Sequence, residues 1–428
     1  MKIINLLTTL LLFMATCYAQ EEISITTFDE INGNSNIKLI NTFSNGDLVL
    51  VGENISKNSE KKNIFVLRTN SSGDIIWNKE FSSDKPLAVN SFLINDLDDI
   101  IIAAEQYEDG NRESLFLFGL KPNGTIIFSQ HFNEAGGEVE AYDIASDKDG
   151  GFLITGFCKL PTIVSNVFFQ MVKEDQFLYI LKVNSLGEKL WSKYIEEDYF
   201  VSTGKKIILD KKSILNIFSN NHKDNKENVI KLITSKNNDT FQEYIFLSDN
   251  NAILSDVAYD GNSFYLTGLV TNDKNTDYYD IFLVKLNERY EIEYNKIIST
   301  NYNDWPAGIS IKENKILLFG HINKKTKKEI FLIEFEKEKG NLNSIKIYEP
   351  PYQSISLMDG KNSEKGLLLV GSCWNKKKVG ILINTSNLKS AENEFIIINS
   401  DFVLQKSQKE KFINLNKVET ISPVNLKN

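Results

Sequence analysis

The chain has 428 residues, 42% hydrophobic and 11% aromatic, with a formal net charge of -9. That composition supplies a core and excludes a disordered chain. Its cations are nearly all Lys, with Arg only at Arg68, Arg112 and Arg289; an acidic, Arg-poor surface argues against nucleic acid as a partner, because that binding needs a basic face and favours Arg.

The first element is "MKIINLLTTLLLFMATCYAQ". One Lys, an apolar run from Ile3 to Ala15 and small residues at Cys17 and Ala19 have the layout of a secretory signal peptide, cleaved after Ala19. The apolar run is too short for a transmembrane span. Lipidation at Cys17 is the rival reading, weakened by Thr16 where a lipobox carries Gly, Ala or Ser. The expected location is therefore secreted, or periplasmic and outer-membrane associated.

Residues 22–28, "EISITTF", read as an outer strand with no repeat before it. From there a pattern of four short strands recurs with a period of roughly fifty residues, the signature of a β-propeller. Its first landmark is the small residue ending the second strand: Gly52, Ala104, Gly156, Ser219, Gly268, Gly320 and Gly371. A small residue recurs where bulk would strike a neighbouring strand or where the chain bends. The second landmark is an aromatic in the fourth strand: Trp77, Phe128, Trp191, Phe241 and Tyr294, with Ser344 in the sixth unit. Four residues before these stand Gly73, Gly124, Gly187, Asn237 and Tyr290, with Gly340 keeping the turn in the sixth unit; a hairpin turn with positive φ suits Gly or Asn there. The expected fold is all-β: a seven-bladed propeller of four-stranded blades over 22–399, closed by the N-terminal strand. "EFIIIN" (394–399) is the competing closing strand. Residues 400–428 read as a polar, flexible tail.

Beyond Cys17, only Cys158 and Cys373 remain. They occupy equivalent places in units that are not neighbours in a ring, so both are expected as free thiols.

The spacing in "GDIIW" (73–77) and "GEKLW" (187–191) resembles the repeats of pyrroloquinoline-quinone-type propellers, among them scaffolds of outer-membrane assembly that have lost the cofactor. The longer pattern "DGGFLITG" (149–156) with "ILKVNSLGEKLW" (180–191) resembles secreted repeat propellers of Bacteroidetes. The resemblance implies a fold rather than an activity, since the matching residues are structural. The vicinal Cys pair and calcium-binding carboxylates of the quinone enzymes are not recognisable, so no cofactor and no metal are expected. The sialidase Asp box spaces Gly and Trp one residue closer and has Asp where Ser71 and Ser185 stand here.

Chemical candidates are few. His131, His222 and His321 form no HExxH or His cluster, and no G-x-S-x-G elbow supports a Ser-His-Asp site. Asp147 and Asp149 in "SDKDGG" have a spacing used by calcium loops, yet D-x-D-G is also an ordinary hairpin turn. No catalytic residue is assigned. Function is expected where the repeat breaks. The third unit carries an insertion, "CKLPTIVSNVFFQMVKEDQ" (158–176), with Ile163, Val164, Phe168, Phe169 and Met171 as candidates for binding a protein partner. Its alternatives are an interaction loop and a local lid folded over the blade edge. Aromatics and acids in the connections between units, Asp198, Tyr199, Asp304, Trp305 and Tyr352, together with Trp374, are the candidates for a glycan ligand around the channel mouth. The expected function is a non-catalytic interaction scaffold in the cell envelope, with a protein partner; the alternative is a glycan-binding module or carbohydrate-active enzyme.

Overall fold

The computed structural model describes residues 25–421 except 30, 32, 56–60, 109–110, 135–137, 166–169, 196–200, 213, 223–227, 237–239, 248–250, 272–278, 301, 325–326, 353, 365, 376, 386–395, 399–402, 407–411 and 415–417. For 108, 111–113, 161–165, 170–174, 247, 375 and 396–421 it describes the backbone alone. The signal-peptide and lipidation readings at 1–19 lie outside the described residues, as do Phe168, Phe169, Asp198 and Tyr199.

Every element is a strand. After β1 (Ile25–Thr27) the chain runs as four-stranded antiparallel meanders: β2 (Asn34–Thr42), β3 (Leu48–Ile55), β4 (Lys62–Thr69) and β5 (Ile75–Phe81); then β6 (Leu87–Ile94), β7 (Ile100–Glu108), β8 (Asn111–Leu120) and β9 (Ile126–Glu134). There follow β10 (Val139–Ser146), β11 (Phe152–Ser165), β12 (Gln170–Val183) and β13 (Lys189–Ile195), and β14 (Val201–Leu209), β15 (Leu215–His222), β16 (Asn228–Ser235) and β17 (Phe241–Leu247). Next come β18 (Ala252–Tyr259), β19 (Phe264–Thr271), β20 (Tyr279–Leu286) and β21 (Ile292–Ser299), and β22 (Asn303–Lys312), β23 (Lys315–Asn323), β24 (Lys328–Glu336) and β25 (Leu342–Tyr348). The last meander is β26 (Ile355–Ser363), β27 (Gly366–Asn375) and β28 (Lys377–Asn384), whose fourth strand is β1, with Ile25 opposite Ile383. Six hydrogen-bonded sheets result among the described residues; the largest holds two meanders joined by one parallel bridge, Gln176 to Val201.

The first strands touch in cyclic order, β2 to β6, β10, β14, β18, β22, β26 and back to β2, so the sheets close into the ring of a β-propeller. Buried third-strand runs such as Ile64–Leu67 and Ile281–Val284 fill the spaces between sheets. At ~25 cal/mol per Å² of buried apolar area, these sheet-on-sheet layers dominate the folding energy.

The small-residue landmark has one cause. Each first strand carries a β-bulge opposite it, between Ile37 and Leu39 across from Gly52, between Ala141 and Asp143 across from Gly156, and between Leu357 and Asp359 across from Gly371. The bulge pushes a first-strand carbonyl onto the landmark. A Cβ on Gly52, Gly156 or Gly371 would lie 2.2 Å from Asn36 O, 1.8 Å from Glu140 O or 1.9 Å from Ser356 O. The extra residue re-aims the first strand's side chains at the centre of the ring.

The aromatic landmark ties neighbouring sheets together, as expected. Trp77 Nε1 donates to Pro122 O at 3.1 Å, and Tyr294 Oη to Lys337 O at 3.2 Å, each in the next meander. The turn glycines face the preceding outer strand: Gly187 abuts Phe128, Gly340 abuts Tyr294, and Gly73 abuts Thr26 of β1. The turn's positive φ is kept at Tyr290 (φ 64) without Gly. The N-terminal strand thus fills the outer place, and "EFIIIN" does not: its described part, β29 (Ile396–Ile398), pairs with β21 instead.

Beyond residue 400 the described segments are three short strands. β30 (Val403–Lys406) pairs with β17, β31 (Phe412–Asn414) with β13, and β32 (Val418–Ile421) with β9. The polar composition hid this because a strand on a sheet edge needs only its backbone and a few apolar residues.

Candidate functional site

The residues that follow the seven first-strand bulges are Leu39, Ser91, Asp143, Lys206, Asp256, Gly308 and Asp359. Four of these residues are charged: Asp143, Lys206, Asp256 and Asp359, on β10, β14, β18 and β26. Lys206 Nζ lies 3.8 Å from Asp143 and 3.4 Å from Asp256, and its side chain is one-third exposed. Asp359 belongs to a non-neighbouring meander yet feels Lys206 and Asp256, which is possible only at the centre of the ring. Burial raises Asp143, against the pull of Lys206. Burial likewise pushes Asp359 up to about 6. Asp143 holds the Lys206 ammonium well above its ordinary value, with Asp256 and Asp359 adding to it.

Each carboxylate is also a clamp. Asp143 accepts Ile207 N at 3.0 Å, Asp256 accepts Ile309 N at 3.1 Å and Asp359 accepts Ile40 N at 3.0 Å, always on the following first strand. Glu53 makes the same bond to Val89 N, and Asn220 exchanges two bonds with the backbone of Leu254. The central charges therefore hold sheet to sheet, and a lysine sits between two of the acids where a glycosidase would hold a substrate. Sequence reasoning missed them. The signal in the sequence was an Asp in three first strands, 12 or 13 residues before Gly156, Gly268 and Gly371.

The second part of the site is the insertion. β11 and β12 are each 14 residues long, against 8 for β3 and β4. They stay in register to the end, with Ile163 opposite Val172, Val164 opposite Met171 and Ser165 opposite Gln170. At ~3.3 Å per residue, the six extra residues make this ladder about 20 Å longer than that of β3 and β4. A continuous ladder extends the β11–β12 pairing as far as Ser165 and Gln170. Its base leans on the next meander, where Gln176 Nε2 donates to Thr203 Oγ1 at 2.8 Å.

The proposed ligand residues separate. Asp304 is fully buried (0% exposed) and caps its own turn, accepting Thr300 N at 2.9 Å and Thr300 Oγ1 at 2.7 Å. Burial pushes it up to about 7. The next residue on β22, Trp305, is exposed instead. Tyr352 is half-buried against the core between the last two sheets. Trp305 and Trp374 remain exposed at 38% and 53%. The Trp305 ring is tilted 54° to Tyr279, with centroids 5.8 Å apart.

Other chemistry is spent on structure. Asp147 and Asp149 both bind Lys182 Nζ, at 2.5 and 2.8 Å, and the turn is an ordinary one. His131 is buried with Nδ1 3.4 Å from Ser114 Oγ, and burial lowers it to about 4. That pair has no carboxylate to orient the ring and no exposure to a substrate. Cys158 and Cys373 are buried free thiols. Burial raises both, Cys373 to about 11. Among the described residues no cluster of His, Cys, Asp and Glu could hold a metal, and no helix is long and apolar enough to cross a membrane.

No protein-family model and no curated protein sequence matches the chain. Among solved structures it is similar to Sqt1 of Chaetomium thermophilum bound to the N-terminus of ribosomal protein L10, at 10% identity and TM-score 0.47, covering 85% of this chain and 98% of that one. It is similar to the acylaminoacyl peptidase of Pyrococcus horikoshii at 12% identity and TM-score 0.46, covering 80% of this chain and 52% of that one. The chain thus spans about half the peptidase's length. The endosialidase of phage phi92 matches at 9% identity and TM-score 0.45, over 95% of this chain and 75% of that one.

Proposed function

We propose that the protein is an exported, non-catalytic scaffold that binds a protein partner in the cell envelope through the β11–β12 hairpin. The observation that supports this reading is the hairpin itself: 14-residue strands, paired as far as Ser165 and Gln170. A projecting two-stranded ladder is marginal alone and gains from a surface to pack on. The central carboxylates speak against a catalytic role, because each is engaged by a backbone N–H of the next sheet.

We infer seven blades, taking the single Gln176 to Val201 bridge as a contact between two blades rather than one continuous sheet. Export rests on the leader sequence, cleaved after Ala19 in preference to lipidation at Cys17. The likeness to quinone-type and Bacteroidetes repeats, without the cofactor site, fits the same reading.

The test is capture from envelope extract by immobilised protein. Ile163→Lys with Val164→Lys is expected to leave the melting curve unchanged and remove the partner, and Trp305→Ala is expected to retain it. Capture unaffected by the hairpin substitutions removes the hairpin from the account. The second reading, a glycan ligand, is favoured by the exposure of Trp305 and Trp374. A glycan array that loses signal in Trp305→Ala and Trp374→Ala, with the hairpin variant unaffected, supports it instead.

A further inference from the structure

Where β27 turns into β28, the last meander meets the start of the first. Trp374 lies directly opposite Lys378 in that ladder, so the two side chains share one face of the sheet with Cβ atoms about 4.5–5.5 Å apart. The backbone of β28 is held against β2 at this point: Lys378 N donates to Asn34 Oδ1 at 3.1 Å and Gly380 N to Ser35 Oγ at 3.1 Å. Asn34 is opposite Ile55, and Ile55 is opposite Lys62, which carries the contact across β2, β3 and β4.

Charge does not balance here. Glu53 is bridged to Lys38 at 2.6 Å and to Lys62 at 3.4 Å, and it also accepts Val89 N at 3.0 Å. Lys378 is half-buried, and burial lowers it; Glu53 pulls it up, while the Lys38 and Lys62 ammoniums push it further down. Among the described residues, three ammonium groups thus share one carboxylate. Beside them stands Trp374, 53% exposed against 38% for Trp305.

We propose that Trp374 and Lys378 bind a saccharide carrying an anionic group, with the sugar ring on the indole and the anion on the surplus ammoniums. The charge favours an anion, because a bound carboxylate or sulfate supplies the counter-charge that Glu53 alone does not. The indole favours a sugar over an acidic peptide. Its cross-strand neighbour is a charge, whereas an aromatic anchor for a protein partner fills a well-packed, desolvated pocket. A pyranose offers a flat C–H face to the ring, and its hydroxyls and acid to the polar rim. The inference rests on the glycan reading of Trp374 and adds the ligand's charge. The β11–β12 hairpin belongs to another meander, so the two sites are separate.

The test measures binding of the full-length protein to trigalacturonate, to its methyl ester, to a sulfated galactotriose and to a hexaglutamate peptide. The ester has the same rings without the charge. One of the two acidic sugars is expected to bind, which tells carboxylate from sulfate, and the ester is expected to bind about 10-fold more weakly than trigalacturonate where the anion is a carboxylate, the loss of one charge-assisted hydrogen bond. Lys378→Met and Trp374→Ala should each weaken binding about 10-fold with an unchanged melting curve, and Lys378→Arg should retain it. Lys148→Met makes the same change of charge on the exposed β10–β11 turn and should leave binding as it was. Ester and acids binding alike, with loss in Trp374→Ala, overturns the anion and leaves the glycan reading standing. Binding of none of these sugars overturns both. Hexaglutamate binding that survives Trp374→Ala overturns the saccharide, since charge alone is then read.

Discussion

Replacing Gly156 by Ala isolates the physical cause of the repeat. The added Cβ would sit 1.8 Å from Glu140 O, where real Cβ contacts keep at least 3.0 Å, and both sides of the clash are backbone. The strands must part by at least about 1.2 Å. That opening stretches one or two ladder bonds past hydrogen-bonding distance, at ~1 kcal/mol each, and adds an overpacking cost of ~1–3 kcal/mol. The expected loss is about 2–5 kcal/mol. Gly150→Ala is the matched control: Gly150 has φ 79 and nothing within 4 Å of its would-be Cβ, so only the left-handed backbone resists, at ~1 kcal/mol. Urea unfolding followed by Trp fluorescence gives both midpoints. A Gly156→Ala midpoint equal to or above that of Gly150→Ala would refute the bulge explanation.

Other consequences are open to the same measurement. Asp304 is raised from 3.8 to about 7; the native state then holds its proton where the unfolded chain has lost it, so this group's contribution falls as pH rises from 3.8 to about 7. Asp304→Asn should therefore gain stability relative to the native chain across that window and run parallel to it above; a constant difference would show that Asp304 does not titrate as described. His131 and His321 are both lowered to about 4 from 6.5, so their contribution is lost as pH falls through that window, and their NMR ring signals should not titrate between pH 7 and 8. Lys206→Met leaves Asp143 and Asp256 facing each other and should cost about 1–3 kcal/mol after allowing for the exposed third of the side chain, with Asp143→Asn restoring part of it. An unchanged melt would mean the central pair is fully solvated. Cys158 and Cys373 should react with a thiol reagent only after denaturation, both together; a fast native reaction at either contradicts their burial.

What the sequence made legible follows from how local each signal is. Gly52, Gly156 and Gly371 could be read as points of close approach because a missing side chain is visible in sequence. The bulge that demands them could not, because the inserted residue is unconstrained: Lys38 in one strand, Asn90, Tyr142 and Met358 in others. The fourth-strand aromatics were legible as links to the next sheet, and Trp77 and Tyr294 make those links. The burial of Asp304 beside an exposed Trp305 is not legible from composition, since successive strand residues face opposite ways. The short strands β30 to β32 leave little trace in sequence, since edge pairing uses backbone atoms and needs only runs such as Phe412–Asn414. The recurrence of Asp143, Asp256 and Asp359 before the glycine landmark was present in sequence, but aligning the first strands on their bulges is what brings the three together.

The most direct test of the scaffold reading places a photo-activatable crosslinker at position 164 on the hairpin and, in separate chains, at 305 and 374. After irradiation in envelope extract, the account predicts one discrete protein adduct from position 164 and none from the other two. Adducts from 305 or 374, with none from 164, would contradict it.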